Sequence, residues 1–295
     1  MQLAQGFQHP PPAARPWVYW FWLNGNITRE GITADLEAMA RVGIGGVLIM
    51  EVDQGAPEGP AGFATPPWRE LFKHVCAEAA RLGLEVNMND DAGWCGSGGP
   101  WITPEQSMQK VVWSEMPVEG PRHLDEVLPQ PQALADFYRD IVVIAFPVPS
   151  AEAAGSTPLR IEDIEGKAAF AMRPIPPRST WPASPLEAVI ARERIIDLTS
   201  QCGPDGKLSW AAPEGKWLIM RFGHTTTGAV NLPAPPVGRG LECDKLCREG
   251  IEAHFAGLMA KLVADVGPLT GKSLVATHID SWETGSQNWT PKFCE

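Results

Sequence analysis

The feature that most constrains the fold is an alternation of apolar runs with amphipathic segments between residues 17 and 112. Three apolar runs each end in a polar residue, and they cover residues 17–23, 46–50 and 84–88. The segments between the runs carry apolar residues at helical spacing, and they begin after Thr28 and after Thr65-Pro66, which are favourable helix starts. Strands that are apolar throughout and alternate with helices predict a parallel sheet with helices on its faces.

Polar residues follow each of these predicted strands at its carboxyl end. They are Asn24, Glu51, Asn89, Asp90 and Asp91. A (β/α) barrel carries its catalytic loops at this end of its strands, so we expect these side chains to gather on one rim and to bind a ligand there.

Two later apolar runs repeat the pattern and add to the predicted sheet. Residues 217–222 lead to His224, and residues 274–281 contain Asp280 near their end. Between these runs, helical spacing over about 244–266 predicts one buried face, made of Ile251, Phe255, Leu258 and Leu262. A closed barrel has eight strands and only five are predicted, so the fold class is α/β, a (β/α) TIM-type barrel that is incomplete in this chain.

The middle of the chain has a different character. Helical spacing fades over residues 117–215, and short apolar runs alternate with turns such as Asp205-Gly206 and Pro213-Glu-Gly215, which favours an antiparallel β insertion. The Pro-rich stretch 174–185 is expected to be a loop. The predicted regions are a first part of the barrel, a β-rich insertion and a continuation of the barrel, at 1–116, 117–215 and 216–295.

Composition limits the partners. The net charge is −11, the pI is about 5.1 and no cluster of Lys or Arg is present, so the chain lacks the basic surface that nucleic acids and anionic membranes require. Residues 1–12 lack the features of a signal peptide, and no apolar run reaches membrane-spanning length. The six cysteines form no CxxC pair, so a closed zinc site is not indicated. Localisation and oligomeric state stay open.

The segment that follows the last predicted strand carries the strongest chemical signal. Asp280 and Glu283 lie beside Trp282 in a loop that also contains Trp289. Carboxyl groups transfer protons and flat indole rings stack on sugar faces, so this combination favours a carbohydrate-cleaving site. The alternative is a surface turn that happens to contain two acids.

A second loop, residues 89–101, is rich in glycine. It contains neither of the common phosphate-binding patterns, and Asp90 and Asp91 would repel an anion. The loop therefore favours a neutral ligand that meets Trp94 and Trp101, with a purely structural loop as the alternative. His224 has the same two interpretations, a hydrogen bond to a sugar hydroxyl or a structural role.

Several acids are also suited to a hard cation such as Ca²⁺, which prefers oxygen ligands. No EF-hand spacing occurs, so such a site would draw on separate loops. The candidates are Glu242, Asp244 and Asp280.

Five motifs together resemble the N-terminal half of the α-L-rhamnosidases of glycoside hydrolase family 106. They are Trp17-Val-Tyr-Trp-Phe-Trp-Leu-Asn-Gly25, Gly43-Ile-Gly-Gly-Val47, Asp91-Ala-Gly-Trp-Cys-Gly-Ser-Gly-Gly-Pro-Trp101, Gly238-Arg-Gly-Leu-Glu-Cys-Asp-Lys245 and Asp280-Ser-Trp-Glu-Thr-Gly-Ser-Gln-Asn-Trp-Thr-Pro291. The resemblance runs from about residue 15 to the end and weakens between about 117 and 190. It implies a bacterial glycosidase that acts on plant or pectic polysaccharide by inversion, with a barrel catalytic domain and Ca²⁺ near the sugar.

Within this resemblance, Glu283 is the candidate general acid, and Asp280 is expected to hold the sugar or a cation. Inversion needs a second carboxyl group about 6.5–9.5 Å away, which we expect beyond residue 295. Two alternatives stay open. A non-catalytic carbohydrate-binding protein could use the same scaffold, and another barrel glycosidase such as a β-galactosidase would differ only in its sugar.

Overall fold

The computed structural model describes residues 2–148 and 189–293, which fall into two compact units. Unit 1 comprises Met1–Ser107 and Ala229–Thr284, and unit 2 comprises Met108–Gly228 and Gly285–Glu295. The predicted loop at 174–185 lies outside the described residues. The α-helices within the described residues are α1 (Gln2–Gln8), α2 (Arg29–Arg41), α3 (Pro66–Leu82), α4 (Arg248–Gly257) and α5 (Met259–Val266).

The described strands divide between the two units. In unit 1 they are β1 (Trp17–Leu23), β2 (Gly46–Val52), β3 (Glu85–Ala92), β4 (Gly98–Gly99), β9 (Leu241–Glu242) and β10 (Leu274–His278). In unit 2 they are β5 (Gln109–Val127), β6 (Arg139–Pro147), β7 (Ile196–Asp197) and β8 (Lys207–Thr226).

The main sheet of unit 1 is parallel, as the alternating pattern predicts. Its strand order is β1-β2-β3-β10, and every neighbouring pair is parallel. On strands β1, β2 and β3, the side chains that face the helices are buried, among them Trp22, Val47, Ile49 and Val86. This sheet is not closed within the described residues, so a TIM barrel is not confirmed.

Local sequence sets the ends of α2 and α3, which cover this sheet. The Thr28 side chain accepts a hydrogen bond from the Gly31 amide and so caps α2. Helix α3 begins at Pro66, buries Trp68 and Phe72 completely, and ends at Leu82, followed by Gly83, whose φ of 69° favours glycine. Both apolar stripes therefore face the sheet, as expected.

The long helix predicted over 244–266 is instead two helices, because the backbone at Leu258 departs from helical angles. The predicted buried face is also partly wrong. Ile251 and Phe255 are 42% and 49% exposed, whereas Leu258 and Leu262 are buried. The face that α4 buries contains Gly250, His254 and Gly257.

Unit 2 contains an antiparallel sheet of order β5-β8-β6-β7. The run at residues 217–222, which we expected in the parallel sheet, is part of β8 and pairs antiparallel with both β5 and β6. A continuous apolar strand fits either kind of sheet, and its own residues do not reveal its partners. Residues 108–116 and 216–228, assigned to the barrel by sequence, thus lie in unit 2.

Candidate active site in unit 1

Most of the candidate residues lie at the carboxyl edge of the parallel sheet. The four strands run in the same direction, so their ends meet at one edge. The candidates at this edge are Asn24, Glu51, Asn89, Asp90, Asp91, Asp280, Trp282 and Glu283, and Trp94 follows in the loop after β3. His224 belongs to unit 2.

Glu51, at the end of β2, is completely buried and does not face an opening. Its Oε1 accepts a hydrogen bond from the Gly25 amide at 2.7 Å, and its Oε2 accepts one from Trp68 Nε1 at 3.1 Å. Burial raises the pKa of Glu51 to about 7, although both hydrogen bonds oppose this change. Each oxygen accepts a hydrogen bond from the protein, so Glu51 links the turn after β1 to α3, and its sugar contact stays a prediction.

Asn24 fixes the turn beside Glu51. Its backbone adopts φ 50°, and its side chain donates to the Ala56 carbonyl at 2.8 Å. The next residue, Gly25, cannot carry a side chain, since a Cβ there would lie 2.4 Å from the Ala61 carbonyl oxygen. Asn24 is 8% exposed, so its position indicates a structural role in the turn.

Asp91 organises the glycine-rich loop from inside. Its carboxylate accepts hydrogen bonds from the backbone amides of Gly96, Ser97 and Gly98 at 2.8–2.9 Å, and one from Asn89 Nδ2 at 3.1 Å. Burial and, secondarily, the charge of Glu242 raise the pKa of Asp91 to about 7, and the backbone hydrogen bonds oppose this rise. The successive amides form a cradle for an anion, and Asp91 itself occupies it.

Glu242 lies next to this cradle, fully buried at the end of β9. Its Oε2 accepts from Ser97 Oγ at 2.5 Å and from Lys245 Nζ at 2.8 Å, whereas its Oε1 has no hydrogen-bond partner among the residues that the structure describes. A Cβ at residue 98 would lie 2.8 Å from Asn231 Cβ and 2.9 Å from this Oε1, which explains glycine there. The loop and β9 are thus joined by the Ser97–Glu242 hydrogen bond, beside the buried Glu242–Lys245 ion pair.

Asp90 lies between β10 and α4, and not on an open rim. Its Oδ1 accepts from Thr277 Oγ1 at 3.1 Å, and its Oδ2 lies 3.5 Å from His254 Nε2. Trp101 Nε1 donates to His254 Nδ1 at 3.1 Å, which leaves the proton of a neutral ring on Nε2, facing Asp90. Sequence reasoning missed His254. The sequence signal for His254 was its position between Gly250 and Gly257 at helical spacing, which puts all three residues on one face of the helix.

The exposed part of the edge carries Asp280 and aromatic rings. Asp280 Oδ1 lies 3.3 Å from both Tyr19 Oη and His278 Nε2, and the adjacent negative charge raises the pKa of Tyr19. Tyr19 is stacked on Phe21 with ring centroids 5.7 Å apart, and Trp94 meets Phe21 edge-on at 5.8 Å. Tyr19 and Phe21 are about half exposed. The sequence did not identify either of them as a site residue.

Glu283 follows Asp280 in the loop after β10, and it too is exposed. Its backbone amide donates to Cys95 Sγ at 3.4 Å, which ties the loop to the glycine-rich segment. The adjacent Trp282 is 51% exposed and faces Lys245, whose Nζ lies 4.7 Å from the ring centroid. The Glu283 carboxyl group is therefore in contact with solvent while its backbone is held.

In unit 2, His224 lies within a group of protein side chains. Its Nδ1 is 3.0 Å from Gln109 Oε1, and its ring contacts Phe137 and Trp289 at 5.7 and 5.8 Å between centroids. These contacts favour the structural alternative for His224.

The three candidate cation ligands do not come together. Among residues 2–148 and 189–293, no group of three or more His, Cys, Asp or Glu side chains is arranged to hold a metal ion. Lys245 already pairs with Glu242, Asp280 is exposed with Tyr19 and His278 as neighbours, and Asp244 Oδ1 accepts from the Leu246 amide. Glu242, Asp244 and Asp280 therefore do not fit a calcium site by themselves.

Comparison with known proteins identifies relatives over nearly the whole chain. A family model described as alpha-L-rhamnosidase, glycoside hydrolase family 106, matches residues 8–295. A protein of Formosa agariphila, named as a candidate β-glucuronidase, is 40% identical over 99% of this chain and 25% of its own length. The structure of a rhamnosidase from Novosphingobium sp. PP1Y aligns with a TM-score of 0.78 and 25% identity, over 98% of this chain and 40% of that one. The chain thus spans a quarter to two fifths of these relatives.

No helix in the described parts of the chain is long and apolar enough to cross a membrane.

Proposed function

Because the chain belongs to the α-L-rhamnosidase family of glycoside hydrolases, family 106, we propose that it contributes to the hydrolysis of terminal α-L-rhamnosyl residues in plant or pectic glycans. Family membership supports a glycosidase with a carbohydrate substrate. The sugar is part of the proposal, as are the inverting course of the reaction and the catalytic activity of the whole protein.

The observation that carries the proposal is a contrast among the acids at the carboxyl edge. Glu51, Asp90 and Asp91 are buried with protein partners on both oxygens. Asp280 and Glu283, by contrast, are exposed. An exposed carboxyl group just past a strand can reach a bound sugar, whereas the buried carboxyl groups support the loops around it.

In the proposed reaction, Glu283 donates its proton to the glycosidic oxygen as the bond to the anomeric carbon breaks. A water molecule attacks that carbon from the opposite face, and a second carboxylate takes its proton, which inverts the configuration. Asp280 binds the sugar through its free oxygen lone pairs, with Tyr19 and His278 fixing its direction.

Two finer features belong to the same proposal. The parallel sheet, with the half-exposed rings of Tyr19 and Phe21 on one face, is proposed to be part of a (β/α) barrel. Calcium is proposed only through the family resemblance, and no step of the reaction depends on it here.

One observation favours a second sugar. The Formosa agariphila relative, 40% identical to this chain, is named for β-glucuronide cleavage. A uronic acid carries a carboxylate, so its site needs a cation that a rhamnose site does not need. Activity toward 4-nitrophenyl α-L-rhamnoside and 4-nitrophenyl β-D-glucuronide, measured side by side, separates the two substrates.

The role of Glu283 is tested with Glu283→Gln in the complete protein. Two α-L-rhamnosides are compared, one with 4-nitrophenol and one with a simple alcohol as leaving group. Loss of the proton donor should lower kcat/KM on the alkyl rhamnoside by about 10²–10⁴-fold and on the aryl rhamnoside far less. Glu85→Gln, an exposed carboxyl at the opposite end of β3, is the matched control and should leave both rates unchanged.

Equal losses on both substrates would remove the acid role from Glu283 and make it a binding residue. No hydrolysis by the wild-type protein, together with measurable binding of rhamnosyl oligosaccharides, would favour a non-catalytic carbohydrate-binding protein.

A further inference from the structure

The short segment that carries Glu283 is exposed, yet a proton donor must hold a defined position over the bond it cleaves. Trp282 precedes Glu283 and is 51% exposed. Its indole ring lies under the Lys245 ammonium group, with Nζ 4.7 Å from the ring centroid. A cation within about 6 Å of an indole centroid is attracted by the negative face of the ring.

Lys245 is itself held by buried groups. Its Nζ lies 2.8 Å from Glu242 Oε2, and the two side chains are 12% and 0% exposed. Glu242 also accepts from Ser97 Oγ, and its strand pairs with Gly98 and Gly99. The ammonium group therefore has a fixed position in unit 1, set by the glycine-rich loop and β9.

The contact with Trp282 gives this buried ion pair a second partner. The same ammonium group thus contacts both a buried carboxylate and the exposed ring next to Glu283. We propose that Lys245 is a positioning residue, which holds Trp282 and through it the Glu283 carboxyl group in place for proton donation. This inference rests on the proposed function of Glu283.

The first test is kinetic and uses Trp282→Leu and Trp282→Phe in the complete protein. Loss of the ring should lower kcat on the alkyl rhamnoside by about 2- to 5-fold, the factor expected for an exposed cation–π contact, with little change in KM. The aryl rhamnoside, which needs less proton donation, should be affected less. Trp282→Phe keeps an aromatic face and should retain most of the wild-type rate that Trp282→Leu loses.

The second test asks whether Lys245 acts through Trp282. Lys245→Arg retains a cation and should stay close to the wild-type rate on both substrates. Lys245→Met should show the same selective loss as Trp282→Leu, and the double variant should lose little more than either single one. Lys245→Met leaves Glu242 buried without its cation and so endangers folding, whereas the Trp282 variants change an exposed side chain and keep the test valid.

A third readout does not depend on activity. In protein labelled with 5-fluorotryptophan, the ¹⁹F resonance of Trp282 is identified by its absence in Trp282→Phe. Lys245→Met should shift this resonance, whereas Lys245→Arg should shift it much less. Lys261→Met, an exposed lysine of α5, is the control and should leave it in place.

The outcomes separate the two proposals. Equal losses on both rhamnosides in Trp282→Leu, with the selective loss intact in Glu283→Gln, would overturn the positioning role alone. An unchanged Trp282 resonance in Lys245→Met would overturn it as well. Equal losses in Glu283→Gln would overturn the acid role and the positioning role with it, and the fluorine shift would then report a structural contact only.

Discussion

Glu51 allows a quantitative test of how burial controls the stability of unit 1. The residue is completely buried, and its carboxyl group accepts hydrogen bonds from Gly25 and Trp68. Burial raises its pKa from 4.5 to about 7. The folded protein therefore binds this proton more tightly than the unfolded chain does, and the stability of the fold must depend on pH through this group.

The sign and the size follow from the two pKa values. The contribution is fully present below about pH 4.5, where both states carry the proton, and it is lost as the pH rises through about 7. At ~1.4 kcal/mol per pH unit, the interval from 4.5 to about 7 corresponds to about 3 kcal/mol. Glu51→Gln cannot ionise, so it lacks this dependence. It has its own constant cost of about 1–3 kcal/mol, because its amide group faces an N–H donor.

The assay is urea unfolding of wild type and Glu51→Gln between about pH 4.5 and pH 8.5, followed by tryptophan fluorescence. Subtracting the two free energies of unfolding cancels the titration of every other group. The advantage of the wild type should shrink by about 3 kcal/mol across this range. A difference that is flat, or that grows with pH, would refute the reasoning.

Two further predictions concern the loop and the buried histidine. Gly98→Ala should lower the free energy of unfolding by about 1–3 kcal/mol, because the new methyl group meets Glu242 Oε1 at 2.9 Å, whereas Gly6→Ala, with open space around it, should not lower it. A double-mutant cycle of His254→Gln and Asp90→Asn, measured by urea unfolding, should show a coupling of about 0.5–3 kcal/mol. Wild-type stability in Gly98→Ala, or strictly additive losses in the cycle, would contradict these contacts.

Sequence predicted the part of the fold that local signals determine. The three apolar runs are β1 to β3, and the caps at Thr28 and Gly83 occur where expected. These features depend on residues close together in the chain, namely an apolar run, a capping side chain and a glycine with positive φ. The parallel direction of the sheet also followed, because the helices between the strands require it.

The errors arose where the outcome depends on distant partners. The run at 217–222 is a strand, but its partners on β5 and β6 lie about seventy or more residues before it. In α4, apolar spacing selected Ile251 and Phe255, whereas the helix packs through Gly250 and Gly257 because the Trp101 ring and nearby backbone lie too close for larger side chains. Helical periodicity identifies a face of large apolar side chains. The face of α4 that is buried leaves no room for such side chains at Gly250 and Gly257.

The candidate site shows the same division. Sequence placed acids correctly at the carboxyl ends of β2 and β3, yet it treated position at a strand end as exposure to a ligand. Glu51 instead accepts hydrogen bonds from the N–H groups of Gly25 and Trp68. Asp91 accepts them from backbone amides of the glycine-rich loop. The direction of each carboxyl group depends on these donors, which composition and spacing do not reveal. The roles proposed for Asp280 and Glu283 stay predictions.

The order of the strands in the parallel sheet has a consequence for the growing chain. On one side β3 pairs with β2, made some thirty residues earlier, and on the other with β10, which is made nearly two hundred residues later. Translation proceeds at about 5–20 residues per second, so the second side of β3 waits on the order of ten seconds or more for its neighbour. An open strand edge is a template for wrong pairing during that interval. Nascent unit 1 should therefore be most vulnerable to aggregation while unit 2 is being synthesised.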